Sequence, residues 1–427
     1  MAVKRRSFAH ARKTAGYSQE SLAEQLGVDR TTVARWEAGE SVPQPWQRPR
    51  IAEAFGLSLG ALNQLLDEEP PERAADAPPV GEDSAGPAGY EQVHAAARES
   101  LAFVTWAETS NVSASALDHL TCEIGRVAIS YVHAPLAPLF RDLVGLRSLA
   151  FGVLTTGRQY PQEARELFFL AGTSCVLLAH ASQNLGDSAS AMAQLRAALT
   201  CAEQADHHGL RAWAHGTAAL IAEWTYQHRR AIDSAQRGQP FAPTAESRVR
   251  LASLEARAAA RTGDRALTLD ALDRAERARD SAAGSDQLGE FGGLLSFPVS
   301  KQHCYAGSAH MLLGDADHAL RNCLLAIAMY EAGPAEQRSY GDEALAWVDV
   351  SIARLTLGDL DGAGEALRPV FELAPERRIE QLAVGLGRVR SALRAPRYAR
   401  VPLAREITQQ VDDFQAGSVA NSLLLTR

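Results

Sequence analysis

Apolar residues recur along this chain at the spacing of helices, in runs cut by short polar turns. The sharpest such stretch lies between Gly16 and Gly39. Leu22, Ala23 and Leu26 give one apolar face at a 3.6-residue period, and Val33 and Trp36 give a second. Gly27 lies between them, where a helix-ending residue needs the left-handed backbone that a Cβ disfavours. Ser18 and Asp29 stand at the two N-cap positions, where a short oxygen side chain can accept from a free amide of the first turn. The pattern predicts two short helices joined by a tight turn. Arg30, Thr31, Thr32 and Arg35 fall on the outward side of the second.

The same reasoning extends to residue 66. Pro43, Pro45 and Pro49 predict a loop; Ile51, Ala52, Phe55 and Leu57 a fourth helix ended by Gly56; and Leu59, Leu62, Leu65 and Leu66 a fifth, capped by Ser58. Residues 67–89 hold seven acids against one Arg, with many Pro, Ala and Gly and almost nothing to bury. That composition predicts an extended, self-repelling linker. From Tyr90 onward no segment reads as a strand.

The region from 90 to 427 carries an internal repeat. Gly186-Asp187, Gly263-Asp264, Gly314-Asp315 and Gly358-Asp359 each separate two apolar helical runs. Five residues past each Gly stands a small residue, Ala191, Thr268, Ala319 or Ala363; nine past stands Leu195, Leu272, Cys323 or Leu367. Small residues let the helices of a hairpin touch, and the later ones fill the groove between them. The turns are 77, 51 and 44 residues apart, and the longest gap divides if Tyr226 takes a glycine's place in a degenerate turn. AAGSDQLGEFGGLLSFP, before the third turn, predicts an ordered loop. Residues 90–170 predict three helices broken near Asn111-Val112, Pro135 and Pro161, and residues 376–415 a closing helix pair.

SQESLAEQLGVDRTTVARWEAGESVP resembles the DNA-binding module of the Cro and phage-repressor family, of the xenobiotic-response-element type. Ser18-Gln19, Leu22-Ala23, Leu26-Gly27-Val28, Val33, Trp36-Glu37, Gly39 and Pro43 carry the likeness. The repeats resemble tetratricopeptide repeats, which have about 34 residues. The two together resemble transcriptional regulators of high-GC Gram-positive bacteria. The resemblance implies an all-α chain: a five-helix DNA-binding domain over 1–66, a linker over 67–89 and a tetratricopeptide-like solenoid over 90–427.

Charge agrees with that division. The chain has a formal charge of -8, yet residues 1–66 carry nine Lys or Arg against six Asp or Glu. A local positive surface can meet phosphate because such contacts act within about 8 Å at physiological salt. The basic arm with Arg5 and Arg6, together with Arg12 and Lys13, is expected on backbone phosphate. Ser18 and Gln19 are expected on phosphate at the start of the second helix, with Gln19 also bracing Arg30. Arg30 and Thr31 are expected at base edges, Thr32 on base or phosphate, and Arg35 on phosphate or a guanine. Double-stranded DNA is the implied partner, and a homodimer held by the region after Tyr90 the expected assembly.

Other chemistry leaves little trace. Five cysteines without a CxxC pair suit a reducing, cytoplasmic setting. No uninterrupted apolar stretch reads as long enough to cross a bilayer, and no signal segment opens the sequence. No P-loop, HExxH, GxSxG or dinucleotide motif is present, so neither an enzyme nor a cofactor is expected. His303, Cys304, His310 and His318 share one hairpin but are assigned no metal, and the Trp residues at 106, 213, 224 and 347 read as filler between helices. Inner helices of stacked pairs face the concave side. His180, Gln183, Glu223, Arg250, Arg257 and Lys301 fall there, and are expected to present polar groups to an extended peptide or a small molecule. The rival reading is a scaffold whose repeats bring a protein partner to DNA.

Overall fold

A computed structural model describes residues 5–44, 47–57, 59–66, 96–101, 103–104, 110–281, 284–334 and 337–417. Every regular element among them is a helix, as expected from the absence of period-2 patterning. The chain divides into a unit of residues 1–91 and a unit of residues 92–427. The acidic stretch 67–89 and the Ser58 cap lie outside the described residues, as do Pro45 and Trp106.

The first unit holds α1 (Arg6–Thr14), α2 (Gln19–Leu26), α3 (Arg30–Ala38), α4 (Arg48–Phe55) and α5 (Leu59–Leu66). Ser18 caps α2 as expected: its hydroxyl accepts from the Ser21 amide, and the Ser21 hydroxyl answers the Ser18 amide. Gly27 closes α2 at φ 69°. Asp29 does not act as expected, because the start of α3 has no side-chain cap. Pro49 is not in the loop either; it sits in the first turn of α4, where its missing N–H costs nothing. Phe8, Leu22, Leu26, Val33, Trp36, Ile51 and Leu62 form the buried core.

The second unit has helical residues at 96–101 and 103–104, followed by α6 (Ala114–Ser130), α7 (Leu136–Thr156) and α8 (Pro161–Asn184). Helix pairs follow: α8 with α9 (Ser188–Gln204), α10 (His208–Trp224) with α11 (His228–Gly238), and α12 (Ala245–Thr262) with α13 (Arg265–Arg279). A short α14 (Gln287–Glu290) precedes α15 (Val299–Leu312) with α16 (Ala316–Ala332), then α17 (Tyr340–Leu357) with α18 (Leu360–Phe371). The pair α19 (Glu380–Leu393) and α20 (Pro402–Ala416) closes the array, α20 packing on α18. These are tetratricopeptide-like hairpins.

Their turns follow one local rule. The Gly takes φ between 75° and 90°, ending one helix, and the Asp carboxylate accepts from an amide of the next. Tyr226 takes the glycine's conformation at φ 60°, as expected of the degenerate turn. Asp206 does likewise at φ 51°, with His207 capping α10 through Nδ1. The small residues Ala191, Thr268, Ala319 and Ala363 are all sealed from solvent.

Two features go beyond a simple stack. The array curls until α19 touches α8, and the Tyr340 amide donates to the Val132 carbonyl at 3.1 Å. The segment 284–298 crosses the interior as a strap, burying Leu288, Phe291 and Leu295 among α6, α8 and α10. Phe169 stacks between His207 and Phe291. Helix α8 is long and apolar enough to cross a membrane, which the sequence pattern did not suggest. Its apolar window is 78% buried within this unit, as for a central core helix.

Candidate functional site

Helices α2 and α3 pack directly on each other, with α1 against α3, α4 and α5. Leu22, Ala23, Leu26, Val33 and Trp36 face inward, which turns the opposite sides of α2 and α3 to solvent. Arg30, Thr31 and Arg35 are exposed and Thr32 is half-buried. The Arg30 guanidinium pairs with Glu20 at 2.7 Å, both side chains largely exposed. Such a pair is worth about 0–1 kcal/mol and leaves Arg30 free to move. Ser18 is exposed and occupied in its cap.

Several basic and amide groups are committed elsewhere than expected. Gln19 donates to Glu37 at 2.5 Å and does not brace Arg30. Glu37 also binds Arg12 at 2.6 Å, and Arg12 is buried, its other bond going to the Tyr17 carbonyl. Arg5 is revised in the same way. Its guanidinium donates to the carbonyls of Leu66, Trp36 and Ser41 at 2.8, 3.0 and 2.7 Å. Arg5 and Arg12 thus tie the ends of α3 and α5 to α1, where phosphate contacts were expected. Lys13 is exposed, and the Arg6 side chain lies outside the described residues.

In the second unit the six residues expected on an open concave face are all buried. The array curls until its closing helices reach α8, which removes the open concave face on which they were expected. Gln183 accepts from Ser188, and Glu223 lies beneath Arg257 and Arg261 at 2.5 and 3.0 Å. Burial alone would raise the Glu223 carboxyl, but the two guanidiniums outweigh it and hold it below its usual range. His180, Arg250, Arg257 and Lys301 border a cavity of about 100 Å³.

The cavity is lined by charged, polar and aromatic side chains. Lys301, the only lysine after residue 13, lies 3.4 Å from Asp342. Arg250 lies over the Trp213 ring at 4.0 Å and donates to the Trp213 carbonyl and the Thr217 hydroxyl. Burial lowers its guanidinium to about 10. The Thr217 hydroxyl donates its one proton to the Trp213 carbonyl, so the His180 Nε2 beside it carries the hydrogen of that contact. Burial, with Arg250 and Lys301 nearby, keeps His180 neutral well below its ordinary titration range. Trp224, Tyr305, Phe297 and Tyr340 line the rest.

Trp213 and Trp224 also border the cavity, and Asp342, Tyr305 and Gln381 join the lining unannounced by any motif. The signal for them was only their place on inner helices. At the third repeat turn the donor atoms of His310, Asp315 and His318 lie within 4.8 Å of one another. Asp315 already binds the His318 ring at 2.9 Å, caps α16 and faces Arg265 at 3.8 Å. His303 instead pairs with Asn322, and Cys304 is buried.

Residues 9–62 match the helix-turn-helix family. Over 53 residues the chain is 42% identical to YgzD of Bacillus subtilis, described as an uncharacterized HTH-type transcriptional regulator. The match spans 12% of this chain and 80% of that protein. The chain belongs to the helix-turn-helix transcriptional regulators, and its first unit is a DNA-binding module. A crystal structure of a tetratricopeptide repeat protein from Parabacteroides merdae aligns over 64% of this chain and 98% of its own, at 9% identity and a TM-score of 0.33.

Proposed function

We propose that the chain is a sequence-specific DNA-binding regulator that acts in the cytoplasm as a homodimer and answers to a small-molecule effector in its helical unit. The observation that carries the DNA reading is the exposed face of α3. Arg30, Thr31 and Arg35 stand out from a helix whose other side is locked into the core. In this reading Arg30 and Thr31 meet base edges in the major groove, Thr32 and Arg35 extend the contact, and Ser18 and Gln19 at the start of α2 approach phosphate. The effector reading is supported by the buried polar cavity, and a small molecule now displaces the extended peptide. Five extended residues span on the order of 17 Å, and a cavity of about 100 Å³ between closed helices does not receive them. Exposed Leu324, Leu325 and Met329 on α16 support a self-association surface.

The test starts from the operator, found by sequencing the DNA that the full-length protein retains. Arg30→Ala is then expected to cost about 1–3 kcal/mol on that site and much less on random DNA. Equal losses on both would reduce Arg30 to a phosphate contact. Sedimentation of the full chain reads the dimer.

A further inference from the structure

Among the charged residues around the inner cavity, Arg250 is the one without a counter-charge. Arg257 has Glu223, which donates nothing and accepts twice from it. Lys301 has Asp342. Arg250 is only 4% exposed, and no carboxylate among the described residues pairs with it. Its recorded partners are a carbonyl at 3.0 Å, a hydroxyl at 3.2 Å and the face of an indole. A guanidinium offers five N–H groups, so most of its capacity is left over. A buried charge without a partner costs several kcal/mol, and proteins rarely keep one for packing alone. The backbone is built to hold it: a Cβ on Gly216 would collide with the Arg250 guanidinium, so this glycine makes its seat.

The surroundings point the same way. The indole N–H of Trp213 is buried and has no hydrogen-bond acceptor among the described residues, and Trp213 borders the same cavity. The Lys301 ammonium adds further N–H donors. Against this stands one lining carboxylate, Asp342, already held by Lys301. The space would hold several waters at about 10–15 Å³ of such volume each, which also suits a small charged head group. Tyr305, Trp224 and Phe297 offer flat or apolar surface to whatever the head group carries.

We propose that this cavity binds a small organic anion, a carboxylate or a phosphate ester with a flat apolar body, and that Arg250 is its charge anchor. The proposal deepens the effector reading above, and only its regulatory consequence rests on that reading. Lys301 and the Trp213 N–H serve as secondary donors. Arg257, neutralised by Glu223, supports the wall.

The probes are benzoate and phenyl phosphate, with benzamide as the uncharged counterpart, titrated into full-length protein by calorimetry and by indole fluorescence. One of the anions is expected to bind saturably and benzamide at least about tenfold more weakly; which anion is tighter separates a carboxylate from a phosphate ligand. Arg250→Met is expected to lose at least about tenfold in anion affinity while keeping its melting temperature, since it removes an unpaired charge. Asp342→Asn leaves Lys301 unpaired and is expected to tighten the anion severalfold. That opposite sign keeps the test decisive should Arg250→Met fold poorly. Equal binding of benzamide, or no binding of either anion at about 10 mM, or weaker anion binding in Asp342→Asn, overturns the proposal. A mobility shift on operator DNA with and without the anion reads the effector role separately. Saturable binding with unchanged DNA affinity would keep the anion site and remove the effector reading.

Discussion

The two units handle charge in opposite ways. In the first, the core is apolar and the polar groups sit at its edge, with Glu37 gathering Arg12 and Gln19 while Arg30 and Arg35 point to solvent. In the second, the outer helices pack through alanine and leucine, and the charge is folded inward, around Glu223, Arg250, Arg257 and Lys301. A small module that meets a large, rigid polyanion needs its cations outside. An array that curls on itself has an interior that is either filled with apolar side chains or kept polar for something small. Placing charge inside is costly, and it is tolerated where pairing is good. The difference between the units is therefore one of which surface each presents to a partner.

The comparison breaks most visibly at Glu223. Glu223→Ala strands Arg257 and Arg261 without their acid, and is expected to cost about 3–5 kcal/mol in the helical unit. Denaturant unfolding followed by indole fluorescence would show that unit's transition moved while operator binding by the first unit persists. Next comes Arg5. Because its guanidinium serves three carbonyls, Arg5→Ala is expected to destabilise the first unit by about 1.5–3 kcal/mol. The slope of affinity against salt should change little, where loss of a phosphate contact would flatten it. Thermal melting and salt titration of binding measure the two.

Acid separates the units more gently. His180 is held neutral in the folded state by burial and by Arg250 and Lys301, so its folded pKa lies below the ordinary 6.5. Burial also lowers His207, His215, His228 and His310. Below pH 6.5 the unfolded chain takes up protons that the folded unit refuses, so stability falls with falling pH. Each such site contributes at most about 1.4 kcal/mol per pH unit. The depressed Glu223 carboxyl adds a second loss below its usual 4.5, as pH drops toward its folded pKa. Melting curves from pH 7 to pH 5 are expected to show the helical unit weakening first, and His180→Asn to reduce that slope. The smallest effect concerns caps. Asp264→Ala removes the acceptor for the Leu267 amide and is expected to cost about 1 kcal/mol, whereas Asp29→Ala, where no such bond exists, should cost close to nothing. Paired melting of the two variants checks it.

Local chemistry was legible in the sequence; closure was not. The Gly-Asp turns, the Ser18 cap, the small residues at the hairpin contacts and even the left-handed Tyr226 follow from interactions within a few residues. The six polar residues expected on a concave face are all buried, and four of them, His180, Arg250, Arg257 and Lys301, border the cavity. Their burial depended on α19 meeting α8, more than 190 positions away, through small rotations accumulated over the repeats. No local pattern records that sum. Arg5 and Arg12 misled for a related reason. An arginine near the start of a basic module looks the same whether it meets phosphate or groups of its own fold; the Arg5 carbonyls lie 31 to 61 positions on, and the Arg12 carboxylate partner, Glu37, lies 25 positions on. Asp29 failed as a cap where the four repeat aspartates succeeded. Asp29 holds the N-cap position of α3, as the repeat aspartates do in their helices, but its side chain accepts from no amide of the first turn.

Lys301 gives the helical unit a built-in reporter. From residue 14 to the end of the chain it is the one side chain bearing a primary amine, and the closed array walls it in at 8% exposure. A lysine-specific protease or an acylating reagent can reach that side chain only when the interior opens, so a single cut or a single added mass counts opening events against the always accessible Lys13.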